Sequence, residues 1–392
     1  MKPRRTFHDP VPNPGFGTLT THYAEEPGAP HTPASPPIYQ TSTFLYPDAA
    51  TWARRRTPDC PQHEYTRVSN PTIEILEGKL ARLEKGAWAQ CFGSGMGAIS
   101  SSINALIHQG AHVVSVAHVY GPARTYLSHV ERFGVSTTYV PGARTADFLA
   151  ALRPETRLLY LESPTSGWFE CPDVRALAAA ARERGVFTLI DNSWASPYFC
   201  NPLELGVDLV IHSATKYLNG HSDVVAGVVI GRDETLQHKL LTEAEFGGAT
   251  LDPFAAWLML RGLRTLGLRM QYHHATGLEV ARWLEEQPGV ERVLHPGLPS
   301  HPEHEICRAQ CRGFGSLFSL FLKDASLPRT QRLLDSLRLF RIGVSWGGHE
   351  SLVVAGAHGR DSANEARCLV RLYCGLEDAA DLIGDLRQAL TS

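Results

Sequence analysis

The chain has 392 residues, 43% of them apolar and 20% charged. That is too long for one small domain and too apolar for disorder throughout, so two packed units are expected. Its 37 basic and 40 acidic residues leave a net charge of −3 without a run of one sign, which excludes a surface built for nucleic acid or an anionic membrane.

No stretch reaches the ~18 apolar residues of a spanning helix, and the basic N-terminus MKPRRTFHDPVPNPG lacks the apolar core of a secretory leader. Small molecules and other subunits are therefore the expected partners. The eight cysteines, at 60, 91, 171, 200, 307, 311, 368 and 374, form no small-scaffold framework, and a reducing cytoplasm is the expected compartment. Cys307 and Cys311 stand at i, i+4, where a metal pair would need His301 and His304 as further ligands. Structural thiols are the preferred reading, because the CxxC spacing of common zinc sites is missing.

Residues 1–70 are rich in proline, including Pro10, Pro12, Pro14, Pro27, Pro30, Pro33, Pro36 and Pro37, and carry no clear periodicity. They read as an extended arm, and Tyr39, Phe44, Tyr46 and Trp52 favour an arm draped over a neighbouring subunit. Residues 71–264 alternate helix and strand. A helical pattern at 97–108 is followed by short apolar strands at 111–116, 136–140, 157–162, 187–191, 207–212 and 224–230, with a helix near 173–184. This pattern predicts an α/β unit whose mostly parallel sheet is covered on both faces. Residues 265–392 change signature: a long helix at 266–286, strands near 316–322, 351–354 and 368–373, and an amphipathic helix from 378. They predict a smaller α+β domain with its sheet solvated on one face.

Ligands of an open parallel sheet bind beyond the carboxyl ends of the strands. Glu162 ends one strand, Asp191 another, and His212 and Ser213 end a third and lead into Ala214-Thr215-Lys216. Only six lysines stand against 31 arginines. A coding bias accounts for the scarcity, but it makes a lysine in an apolar setting worth inspection, because burial there frees the amine. Lys216 is that lysine. The run Phe92-Gly93-Ser94-Gly95-Met96-Gly97 precedes a helix and is either a tight turn or a phosphate cup. It lacks the spacing of a dinucleotide fingerprint and the Walker lysine. Taken singly, Lys216 reads as a loop lysine and Asp191 as a helix cap. Taken together, 25 residues apart on successive strand ends, they suit a pyridoxal phosphate site, with a lysine for the aldehyde and a carboxylate for the ring nitrogen.

The stretch Ser213-Ala214-Thr215-Lys216-Tyr217 with Gly220-His221-Ser222-Asp223 resembles the signature of the Cys/Met-metabolism family of pyridoxal-phosphate enzymes, of fold type I. Residues 65–72 (YTRVSNPT), Ser94-Gly95-Met96, Tyr120-Gly121 and Glu162-Ser163-Pro164-Thr165 are similar to further motifs of that family, in the same order. The resemblance implies that Lys216 binds the cofactor covalently and acts as the base, Asp191 pairs with the pyridinium nitrogen, and Tyr120 stacks on the ring and assists catalysis. It places Gly95, Met96, Ser213 and Thr215 at the phosphate and Ser166 near the ring hydroxyl. Tyr65 and Arg67 would reach the phosphate of a neighbouring subunit, in a homotetramer built from two dimers.

Arg371, an unusual charge within CLVRLY, suits a substrate α-carboxylate, and Ser345 and Trp346 belong to a stretch similar to the family's substrate loop. Trp346, the run Arg261 to Gly267, Gly375-Leu376-Glu377-Asp378 and Ser166 look most like the β-lyases of the family, whereas Asn70-Pro71-Thr72 looks more like its γ-acting branch. The implied reaction is β-elimination of L-cystathionine or a related cysteine conjugate to a thiol, pyruvate and ammonia. A γ-lyase or γ-synthase is the alternative, and a non-catalytic cofactor-binding regulator a distant one.

Overall fold

A computed structural model describes residues 6–25, 33–55, 57, 60, 62–360 and 366–391. Seven strands form the larger sheet: β1 (Trp88–Phe92), β2 (His112–Val116), β3 (Ser136–Val140), β4 (Thr156–Glu162), β5 (Phe187–Asp191), β6 (Leu209–His212) and β7 (Gly227–Gly231). Their spatial order is β1-β7-β6-β5-β4-β2-β3. Neighbours from β6 through β3 are parallel, and β7 runs antiparallel to both β6 and β1. Strands such as Leu209–Ile211 and Val228–Ile230 are apolar throughout because helices cover both faces, which leaves almost no surface of β2, β6 or β7 exposed.

The strand β1 was not expected. WAQCF is short and interrupted by Gln90, and it gains its strand state from pairing with Val229 of β7 rather than from periodicity. It feeds straight into the glycine-rich turn before helix Gly95–Leu106.

The second sheet contains β8 (Val290–Leu294), β9 (Leu317–Leu322), β10 (Arg341–Ile342), β11 (Leu352–Arg360) and β12 (Ala366–Tyr373), in the order β10-β11-β12-β9-β8. It is antiparallel except for the β10–β11 pair. Contrary to expectation, both of its faces are packed. Leu317, Phe321, Leu369 and Tyr373 join the main core, while Phe318, Leu320, Val370 and Leu372 pack with Leu284, Leu333 and Leu386 of three helices. Ser316 and Ser319 produce the polar alternation in the sequence, yet both are fully buried.

The described part of the first 70 residues divides in two. Helix Phe16–His22 lies on helix Pro71–Leu83 of its own subunit, with Leu19 and Thr20 buried. Beneath it Lys79, fully buried, donates to Thr20 O at 2.8 Å and pairs with Glu25, which also binds Arg264 at 2.5 Å. Residues 33–70 keep Tyr39, Leu45, Trp52, Tyr65 and Val68 exposed. The long helix Leu266–Glu285 and the final helix Ala379–Leu390 fall where their periodicity places them.

Candidate active site

Asp191 closes β5 and Glu162 closes the neighbouring β4, paired in register. Asp191 is buried, and its Oδ1 accepts from Ser193 N at 2.9 Å. Burial pushes its carboxyl above the ordinary range; the Ser193 hydrogen bonds and the charges of His212 and Lys216 oppose that shift. Past the end of β6, Lys216 lies in the turn Ser213–Gly220, held by Lys216 N to Ser213 O and Gly220 N to Lys216 O. Its amine donates to Ser345 Oγ at 2.9 Å and sits 5.8 Å from the Trp346 ring. Burial lowers the lysine pKa, Arg371 lowers it further, and Asp191 opposes them.

The loop bearing Ser345 reaches Lys216 because of Gly347. Its φ is +86°, and a Cβ there would lie 2.7 Å from the Lys216 carbonyl carbon and the Tyr217 nitrogen. Glycine is therefore the residue this approach requires. Trp346 packs edge-on against Tyr217, whose buried hydroxyl accepts from Ser316 N at 3.0 Å. Arg371, in register with Ser319 on one side and Val354 on the other, donates to Val344 O at 2.7 Å. A cavity of about 640 Å³ opens beside Arg371 and Ser166, between His118 and Trp168 on one side and residues 354–356 on the other.

Helix Gly95–Leu106 begins where the phosphate cup was sought, with Ser94 Oγ accepting from Gly97 N at 2.9 Å. A Cβ on Gly95 would meet Ser213 Oγ at 2.9 Å, so the bare helix end abuts the Lys216 turn. Ser213 N donates to Ser193 Oγ at 2.6 Å. Both donors of Thr215 point at Ala226 O, at 3.1 Å each. Tyr120 opens helix Gly121–Val130 and is 42% exposed, facing the charges of Asp191, Glu162 and Arg371.

Lys216, Asp191, Tyr120, Ser345, Trp346 and Arg371 are thus brought together, with Gly95, Met96 and Ser213 at one end and Ser166 at the other. Tyr65 and Arg67 stand apart and exposed: Arg67 donates to Glu245 O at 2.7 Å, and its guanidinium lies 6.0 Å from the Tyr65 ring. Sequence reasoning missed Ser193, which orients Asp191, and the buried Glu84–His212 pair at 2.8 Å behind it. The signals were weak: Ser193 follows Asp191 by two residues, but Glu84 is 128 residues from its partner. Among the described residues, no group of three or more His, Cys, Asp or Glu is placed to hold a metal, and no helix is long and apolar enough to cross a membrane.

These residues fit pyridoxal phosphate on physical grounds. A buried carboxylate whose pKa burial has raised calls for a cationic partner, an amine with a lowered pKa suits an aldehyde, and a bare helix N-terminus suits a phosphate. A fold with this site defines a pyridoxal-phosphate enzyme of fold type I. A model of the Cys/Met metabolism PLP-dependent enzyme family matches residues 17–391, and the chain belongs to that family, so its cofactor is pyridoxal 5′-phosphate. It is 39% identical over 368 residues to an L-methionine gamma-lyase of Porphyromonas gingivalis, covering 91% of this chain and 92% of that protein. It is 39% identical, over a 397-position alignment that covers 100% of both chains, to a cystathionine gamma-synthase of Mycobacterium tuberculosis. A crystal structure of metB from Corynebacterium glutamicum superposes with a TM-score of 0.89 at 33% identity, covering 97% and 98% of the two chains. The relatives' names point to γ-chemistry rather than to the β-elimination expected from the sequence.

Proposed function

We propose that this enzyme acts at the γ-carbon of an amino-acid thioether of the methionine or cystathionine type, cleaving or replacing the carbon–sulfur bond. The observation that carries the reading is the amine of Lys216, pKa lowered, resting 2.9 Å from Ser345 Oγ between Asp191 and Arg371. When bound, the cofactor supplies an electron sink for charge developing at Cα. Lys216 would hold it covalently, Asp191 would keep its ring nitrogen protonated, Tyr120 would cover the ring and steady the catalytic amine, and Gly95, Met96, Ser213 and Thr215 would surround its phosphate. Ser166 would lie by the ring hydroxyl.

Arg371 grips the substrate carboxylate and thereby aims Cα at Lys216. Ser345 accepts from the Lys216 amine and holds it in line. The amine takes the Cα proton, and γ-chemistry then needs a second proton moved at Cβ, for which the same amine is nearest. Tyr65 and Arg67, exposed and distant from their own Lys216, are suited to complete the site of a second subunit, in a cytoplasmic homotetramer made of two dimers.

A second reading, β-elimination of cystathionine to homocysteine, pyruvate and ammonia, is favoured by Trp346. Its ring 5.8 Å from the Lys216 amine and edge-on to Tyr217 restricts the travel that a second proton transfer at Cβ requires. Product analysis separates the two. With cystathionine, and with methionine as a second substrate, 2-oxobutyrate supports the γ-reading. Pyruvate from cystathionine together with no reaction of methionine overturns it in favour of the β-reading.

A further inference from the structure

Glu162 is absorbed by none of the roles above, yet it stands at the centre of the site. It ends β4 directly beside Asp191, in register on the adjacent parallel strand, a separation at which side chains on the same face touch. Two carboxylates so placed and so enclosed do not both hold a charge. Asp191 receives the Ser193 hydrogen bonds and the fields of His212 and Lys216. Glu162 has none of these. Its Oε2 accepts one hydrogen bond, from Tyr120 N at 2.7 Å. Glu162 keeps a small exposed margin, but protein surrounds it densely enough for desolvation, then the Asp191 charge, to push its pKa well above the ordinary carboxylate range.

The backbone around Tyr120 gives that single hydrogen bond its leverage. Tyr120 precedes helix Gly121–Val130 and has no side-chain cap, and its φ and ψ of −43° and 125° lie outside the helix. Its N–H is the group closest to the ring that any side chain holds, since the phenol itself accepts and donates no bond among those described. We propose that Glu162 is a positioning residue: as an uncharged carboxylic acid it fixes the Tyr120 backbone, and so the aromatic ring, over the cofactor, while leaving Asp191 the only negative charge facing the ring nitrogen. This rests on the reading of Tyr120 as the stacking residue.

The test uses the cofactor-loaded enzyme and two readouts besides activity: the visible circular dichroism of the bound cofactor and its equilibrium dissociation constant. Glu162→Gln keeps the acceptor and the neutral charge, and both readouts are expected within about twofold of wild type. Glu162→Leu keeps the volume but removes the acceptor, and is expected to lose most of the visible dichroism and to bind cofactor about fivefold to tenfold more weakly. Tyr120→Ala serves as the reference. If Tyr120→Ala alters neither readout, Tyr120 does not stack and the reading beneath the proposal fails. If Tyr120→Ala alters them and Glu162→Leu does not, the proposal alone is overturned. Loss of both readouts in Glu162→Gln also overturns it, because the charge would then be needed. Should Glu162→Leu not fold, Glu162→Ala, which also removes the acceptor, is read against the same two outcomes.

Discussion

Two lysines, one half-buried and one fully buried, illustrate how the same residue type takes opposite roles. Lys216 has a serine hydroxyl as its hydrogen-bond partner and a lowered pKa, which keeps the amine reactive. Lys79 is more deeply buried, but Glu25 and the Thr20 carbonyl satisfy it, so its role is to clamp helix Phe16–His22 to the body of its own subunit. The coding bias read from the sequence explains why lysines are few, not which of them are buried. Lys79→Met leaves Glu25 with Arg264 as its only ionic partner among the described residues and is expected to destabilise the fold by roughly 2 kcal/mol, read as a lowered denaturant midpoint with cofactor binding retained. At the substrate end, Arg371→Lys retains a cation but loses the planar fork. It is expected to raise KM by about 100-fold with little change in thermal stability, measured by steady-state kinetics and calorimetry.

At the scale of elements, three strand ends were legible because β4, β5 and β6 are short, mainly apolar runs that each finish on a polar residue. Glu162, Asp191 and His212 were visible that way, and the sheet brings them together. What was not legible depends on contacts remote in sequence. The strand Trp88–Phe92 exists through its partner Gly227–Gly231, and the burial of Ser319 depends on two sheets of one chain packing together. Likewise Gly347 carries no sequence signal for its left-handed φ, although the approach of the Ser345 loop to Lys216 requires it. Gly347→Ala is expected to cost about 1–3 kcal/mol through strain and collision and to lower kcat at least tenfold by withdrawing Ser345 from the amine. Urea unfolding and kinetics on one preparation check both. If kcat is unchanged, the loop does not orient Lys216.

For the whole molecule, a cluster of histidines links the smaller sheet to the larger body. Burial lowers the pKa of His273 and His295 to about 3 and of His301 to about 4, from an ordinary value of 6.5. The unfolded chain therefore binds more protons than the folded one below pH 6.5, so stability falls as pH falls. The contribution of these groups is complete above about pH 6.5 and is lost progressively toward pH 3; by pH 5 the loss is about 2 kcal/mol for each of His273 and His295. Melting temperatures measured from pH 8 to pH 5 should be level above pH 7 and decline below 6.5; a level curve down to pH 5 would show that these imidazoles are protonated in the fold. The mostly parallel sheet and the presence of a second, smaller sheet followed from periodicity. The docking of helix Phe16–His22 did not, since Leu19 is one apolar residue in a polar, proline-rich segment.

Lys216 is the residue proposed to carry the cofactor, and the scarcity of lysine makes this directly measurable. Borohydride reduction of the pyridoxal-phosphate-loaded enzyme, followed by peptide mass mapping, should place the pyridoxyl group on the peptide containing Lys216 and on no other. A modification at Lys79, Lys85 or another of the remaining lysines, or none at all, would contradict it.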